Sequence, residues 1–95
     1  MPKVPHLQSL VLYKVGATEI LKGLANGEGK RFGDLAKLGG TKTTATLAHR
    51  LRELERADYI IKKVHNEPGQ PVNIYYKITD KGKKALDLFR TLESL

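Results

Sequence analysis

Between Thr41 and Tyr59 the apolar residues Leu47, Leu51 and Leu54 are spaced i, i+4 and i+7. That spacing puts all three on one stripe of a helix. The opposite side carries His49, Arg50, Arg52, Glu53 and Arg56. Thr41 or Thr43 can cap the start of this helix with its hydroxyl, Thr43 being preferred, so the pattern predicts a helix from about Thr43 to Ala57, with Asp58 in the turn that ends it. Upstream lies a shorter periodic run, Phe32, Leu35, Ala36 and Leu38, followed by Gly39 and Gly40. It predicts a short helix starting at Gly33 or Asp34, and Asp34 in its first turn suits the helix dipole. Nearer the N-terminus, Leu7, Leu10 and Val11, then Ile20, Leu21 and Leu24, recur at helical spacing across Gly16. Two helical pieces are expected, residues 5–14 and 17–26, broken near Val15-Gly16. Pro5 suits the first turn of one, and Asn26-Gly27 and Gly29 suit the end of the other.

The period changes after Tyr59. YIIKKV, Tyr59–Val64, is rich in β-forming residues, and Val72–Ile78 alternates Val72, Ile74, Tyr76 and Ile78 against Asn73, Tyr75 and Lys77. HNEPGQP lies between them, with Pro68-Gly69 as the turn, so a β-hairpin with a loop of about seven residues is expected. Lys30-Arg31-Phe32 reads as a small edge strand beside it. Thr79 then caps a last helix, from about Asp80 to Glu93, with Ala85, Leu86, Phe89 and Leu92 as its stripe. Leu88 and Leu95 lie partly off that stripe, and surplus apolar residues on a terminal helix point to a partner subunit.

Helix, short strand, helix, glycine turn, helix, hairpin, helix is the order of a winged helix-turn-helix. The fold class expected is α+β, mostly α: a three-helix core with a β-hairpin wing, plus N- and C-terminal helices for dimerisation. Ninety-five residues make a single domain, with its core at about 16–84 and flanking helices at about 5–14 and 80–94.

Composition adds the partner. Forty per cent hydrophobic and 28% charged residues are those of a folded globular chain rather than a disordered one. The net charge of +7 calls for a polyanion, nucleic acid before an acidic membrane face, or else is only a soluble basic surface. The excess is concentrated between Thr41 and Lys84, where ten Lys/Arg stand against five Asp/Glu. The absence of cysteine excludes disulfides, thiolate metal sites and cysteine nucleophiles, and is compatible with a reducing cytosol. No apolar run approaches the ~20 residues of a membrane span, and the N-terminal stretch lacks the features of a signal peptide. His6, His49 and His65 show no local metal spacing, no Ser/His/Asp constellation is legible, and Gly27-Glu28-Gly29 is a turn rather than a phosphate loop. Neither an enzyme nor a cofactor is expected, and a cytoplasmic, nucleoid-associated location is.

From about Val15 to Leu86 the sequence resembles the HxlR-type transcriptional regulators, with looser likeness to the PadR, ArsR and MarR groups. The matching residues are Ile20-Leu21 and Leu24; Arg31-Phe32-Gly33-Asp34-Leu35; Leu47, Arg50-Leu51 and Arg52-Glu53-Leu54-Glu55; and Pro71-Val72, Tyr76 and Ile78-Thr79-Asp80-Lys81-Gly82. It departs from the family pattern in having Asp58 where glycine is usual and Thr18-Glu19 where an aromatic is frequent. It also has no N-terminal cysteine, so the redox sensing of some relatives does not carry over. The resemblance implies a homodimer on a roughly palindromic double-stranded DNA operator, with dimer contacts from the first and last helices.

In a helix-turn-helix the second helix enters the major groove and its N-terminal residues meet the base edges. Thr44, Thr46, His49 and Arg50 are the candidates for base reading. The threonines offer hydroxyls and methyls, and Arg50 offers a two-bond contact to guanine. Arg50 has two alternatives, a phosphate contact or an intrahelical pair with Glu53 or Glu55. For phosphates the candidates are Lys30, Arg31, Lys42, Thr43, Arg52, Lys62, Lys63 and Lys77. The wing tip, Glu67-Pro68-Gly69, has no arginine to insert into a minor groove, and Lys81, Lys83 and Lys84 read as a solvated face. Two other functions share these features: a non-sequence-specific DNA-coating protein, and a protein-interaction module on the same fold.

Overall fold

A computed structural model describes residues 10–38 and 40–95. It opens on a single 3-10 turn, Leu10–Tyr13, followed by α1 (Ala17–Gly23), α2 (Phe32–Ala36) and α3 (Thr44–Arg56). The hairpin β1 (Ile60–His65) and β2 (Asn73–Ile78) comes next, and α4 (Asp80–Glu93) closes the chain. The order is that of a winged helix-turn-helix, an α+β fold dominated by helix. Where a first helix over 5–14 was expected, the described part is the 3-10 turn, and residues 1–9 lie outside the described residues.

The break between the first two pieces falls at Gly16, which takes φ 87° at the start of α1. A Cβ there would meet the Thr41 methyl at 2.5 Å, so the turn also packs against the segment leading into α3. α1 ends three residues before the expected boundary. Its last turn tightens into i→i+3 bonds, Leu24 N–H to Leu21 O and Ala25 N–H to Lys22 O, and Gly27 then reverses the chain at φ 83°.

Leu47, Leu51 and Leu54 of α3 are at most 2% exposed and meet Leu21, Leu24, Leu35, Ile60 and Leu86 in one core. Burying each is worth about 1.5–3 kcal/mol. Thr43 caps α3 as expected, its hydroxyl accepting from Thr46 N–H at 3.1 Å. At the other end Tyr59 N–H reaches Leu54 O at 2.9 Å and Asp58 N–H reaches Glu55 O at 3.0 Å. With Asp58 at φ 66° this is a Schellman ending made without glycine. The Thr79 hydroxyl donates to Asp58 O at 2.5 Å and so holds the left-handed residue in place.

β1 and β2 pair antiparallel, with Ile60 opposite Ile78, Lys62 opposite Tyr76 and Val64 opposite Ile74. On β2's other side Lys30 and Tyr76 exchange backbone bonds of 3.0 and 2.8 Å, which is the short edge strand in its smallest form. The hairpin's apolar face is buried only at its base: Ile60 and Ile78 enter the core, whereas Val64, Val72 and Ile74 are exposed. The stripe of α4 divides likewise. Ala85 and Leu86 are buried and Phe89 packs on the core, but Leu92 lies open with Leu88.

Candidate nucleic-acid interface

α3 presents its polar side outward along Ala45, His49, Arg52 and Arg56, all exposed, with Thr44 exposed at its first turn. Immediately before it, Lys42 and Thr43 are exposed as well. Two of the expected base readers sit differently. Thr46 is half-buried, and its hydroxyl oxygen accepts from the Thr43 hydroxyl at 2.9 Å.

Arg50 is a correction: it does not belong to the outward edge. It is 8% exposed, its Nε donates to Val15 O at 2.8 Å, and its guanidinium pairs with Glu53 one turn on. The intrahelical pair is the alternative that the fold adopts. The reason is angular: Arg50 is i+3 from Leu47 and i−4 from Leu54, which puts it at the margin of the buried stripe on the side of Leu54. There the Val15 carbonyl is within reach and water is not.

Glu53 is the hub of that margin. Its carboxylate also accepts from Lys14 Nζ at 2.5 Å, and His49 Nε2 lies 3.5 Å away. Partial burial pushes its pKa up, but the bonds and positive charges of Lys14 and Arg50 outweigh this and hold it below the ordinary 4.5. A depressed folded-state pKa gives stability that is present above the unfolded value and lost as pH falls through the folded one. Glu53→Gln is therefore expected to lower the melting temperature at pH 6–7, with the gap to the unaltered protein closing below about pH 4.5. Thermal melts across pH 3–7 check this, and a gap that stays constant would show the carboxylate charge to be idle.

The basic hairpin flanks α3. Lys62 and Lys63 are exposed, Lys77 and Lys30 half-buried. Lys30 Nζ lies 3.9 Å from Glu28. Arg31 is exposed, and its guanidinium donates to Asn73 Oδ1 at 2.7 Å, which fastens the hairpin to the start of α2. Lys81 is not simply solvated: its ammonium donates to Ala57 O at 2.7 Å and lies 4.7 Å from the Tyr59 ring centroid, at the end of α3. Ala45, Asn73, Lys14 and Glu53 are additions to the sequence-predicted set. Only Glu53 carried a local signal, lying i+3 from Arg50 and i+4 from His49.

Across the molecule, α4 and the 3-10 turn share an apolar groove lined by Leu12, Tyr13, Ala85, Leu88, Phe89 and Leu92. Tyr13, Leu88 and Leu92 stand 74, 67 and 57% exposed at its rim, a degree of exposure that marks an unpartnered surface.

The family model described as HxlR-like helix-turn-helix matches residues 13–95. The chain belongs to the HxlR-like helix-turn-helix family. Among solved structures, this HxlR-like chain is similar to diamide-treated YodB from B. subtilis, at 29% identity and a TM-score of 0.79, over 99% of this chain and 89% of that one. A MarR-family regulator from Enterococcus faecalis V583 shares the fold at 24% identity and a TM-score of 0.73, over 97% and 84% of the two chains. So does Bacillus subtilis PadR, solved in complex with operator DNA, at 18% identity and a TM-score of 0.63, over 77% and 45%. No curated protein matches the chain. The HxlR-like chain thus has a transcription-regulator fold. Among its described residues no helix is long and apolar enough to cross a membrane, and no group of three or more His, Cys, Asp or Glu is placed to hold a metal ion.

Proposed function

We propose that the protein is a homodimeric, sequence-specific double-stranded DNA-binding transcriptional regulator. The observation that carries this reading is the outward edge of α3: Ala45, His49 and Arg52 share one exposed side, with Thr44 exposed at the first turn and the lysines of the hairpin alongside. A PadR regulator of the same fold binds operator DNA, which supports the same use of the helix here. Thr44 and His49 read base edges, with the Ala45 methyl available to a thymine methyl. Lys30, Arg31, Lys42, Thr43, Arg52, Lys62, Lys63 and Lys77 meet phosphates and set the register. Arg50 is left out of the contact set, and the Thr46 hydroxyl serves the cap. The apolar groove of α4 and the 3-10 turn is the surface on which two copies join. Their recognition helices then lie about 34 Å apart, one DNA turn, in successive major grooves.

Selection of bound sites from a random duplex pool tests the reading. A single enriched, roughly palindromic motif is expected, and even recovery of all sequences would mean a DNA-coating protein instead. His49→Ala should relax preference at one position of the motif, a loss of about 1–3 kcal/mol against the preferred base. Lys63→Ala should weaken all duplexes alike and reduce the salt slope by about one. With six to ten phosphates neutralised, affinity should fall by about 10³–10⁵ between 50 and 200 mM salt.

A further inference from the structure

Three consecutive residues join the two exposed faces of the molecule. Tyr13 belongs to the apolar groove, where its ring meets Phe89 of α4 edge-on, with 5.9 Å between centroids. The next two residues hold α3. Lys14 Nζ lies 2.5 Å from Glu53 Oε2, and the Val15 carbonyl accepts Arg50 Nε at 2.8 Å. Arg50 and Glu53 pair with each other and close the ring. The side chains of Arg50 and Glu53 are only 10 and 18% exposed. In such a partly dry setting charge-assisted bonds are stronger, and each partner is costly to strand. The 3-10 turn therefore cannot shift along α4 without moving the base of the recognition helix or opening this ring. Lys14 and Val15 line a hollow with Leu12, Tyr13 and Phe89 at the edge of the groove, while Arg50 is buried and Glu53 half-buried on α3, so the ring lies between the two faces.

We infer that Lys14, Arg50, Glu53 and the Val15 carbonyl form a positioning device that passes the state of the apolar groove to the recognition helix. When two copies pair through the groove, Tyr13 is fixed, the ring stays closed, and α3 is held at one angle to the body. When the groove is empty, the ring alone holds the turn, and the closed arrangement exchanges with one in which the ring is open. These are the two discrete arrangements that a coupling between distant sites requires. The inference rests on the DNA-binding, dimeric reading and adds to it a mechanical link between its two surfaces.

A duplex carrying one half-site isolates the link, because the gain from a second half-site is absent. The full chain and Leu88→Glu are compared on this duplex, each also combined with Glu53→Gln or with Lys14→Ala. The unaltered protein is expected to hold the half-site about fivefold or more tightly than Leu88→Glu, the lower end of measured couplings. That ratio should fall toward one in both the Glu53→Gln and the Lys14→Ala backgrounds. A purely structural role would weaken both members of each pair equally and leave the ratio unchanged. Lys14 has a side chain 46% exposed, so its removal keeps the comparison valid even where Glu53→Gln melts too early. A ratio of one with the ring intact, or a ratio that neither substitution alters, overturns the inference while DNA binding stands. Failure of every protein to retain any duplex at low salt overturns the DNA reading and this inference together.

Discussion

Leu88→Glu is expected to leave a folded monomer whose affinity for a duplex with two half-sites is lower by about 10²–10⁴. Leu88 is 67% exposed on the outer side of α4, and its side chain is absent from the buried core. The monomer therefore loses little when it changes. What changes is the groove that it shares with Leu12, Tyr13, Ala85, Phe89 and Leu92. A carboxylate there is easily hydrated on a lone chain but has no partner once a second copy covers it, and burying an unpaired charge is prohibitive. Losing the dimer converts the second half-site from an intramolecular encounter into an independent one, which is where the factor arises. Sedimentation equilibrium and titrations with one-site and two-site duplexes check it together. A variant that still sediments as a dimer would move the subunit contact to another surface.

Gly82→Ala is expected to destabilise the protein by about 1–3 kcal/mol, or roughly 5–20 °C in melting temperature for a domain of this size. In an ordinary helix the exchange would help, since glycine costs about 0.5–1 kcal/mol relative to alanine. Here a Cβ would run into the carbonyl oxygen of Tyr59 and come within 2.7 Å of the Ile78 side chain. A backbone carbonyl has no rotamer to retreat to. The helix start is also pinned: Thr79 Oγ1 accepts from Gly82 N–H at 3.0 Å while its hydroxyl donates to Asp58 O. α4 would have to lift off the end of α3 and break both. Gly33→Ala in α2 is the control, because nothing lies within 4 Å of its Cβ position. A melt in which the two variants behave alike would contradict the close approach at Tyr59.

Elements whose signal is local were legible in the chain. The stripe of Leu47, Leu51 and Leu54, the cap at Thr43 and the break at Gly16 all come from side chains within a few residues of each other. The same holds for the hairpin and its turn at Gly69, which takes φ 78°. The misreadings are of a different kind. Arg50 groups by type with the polar side, yet it stands at the margin of the leucine stripe and is turned inward by a carbonyl 35 residues away. Nothing in the spacing of α3 reports where Val15 will lie. Lys81 looked solvated for the same reason, since the Ala57 carbonyl that engages it comes from the end of another helix. The hairpin itself was legible, but its alternation does not give a covered and an open face: Ile74 is exposed while Asn73, Tyr75 and Lys77 are half-buried. How far along it the body extends is a matter of tertiary shape: Ile60 and Ile78 are buried and Tyr76 packs half-buried on the core.

That last point bears on how the hairpin behaves. Beyond the Lys62–Tyr76 rung, Val64, Ile74 and Val72 are exposed, and the arm is fastened by its own ladder, the Lys30–Tyr76 bridge, the Tyr75 ring against Gly29 and the Arg31–Asn73 bond. A two-stranded ribbon by itself is marginal in water. Its outer half thus keeps the freedom to bend and twist to the contour it meets, while the inner half, anchored at Ile60 and Ile78, keeps its bearing relative to α3. The molecule sets a packed helical body beside an arm that the body buries only at its base.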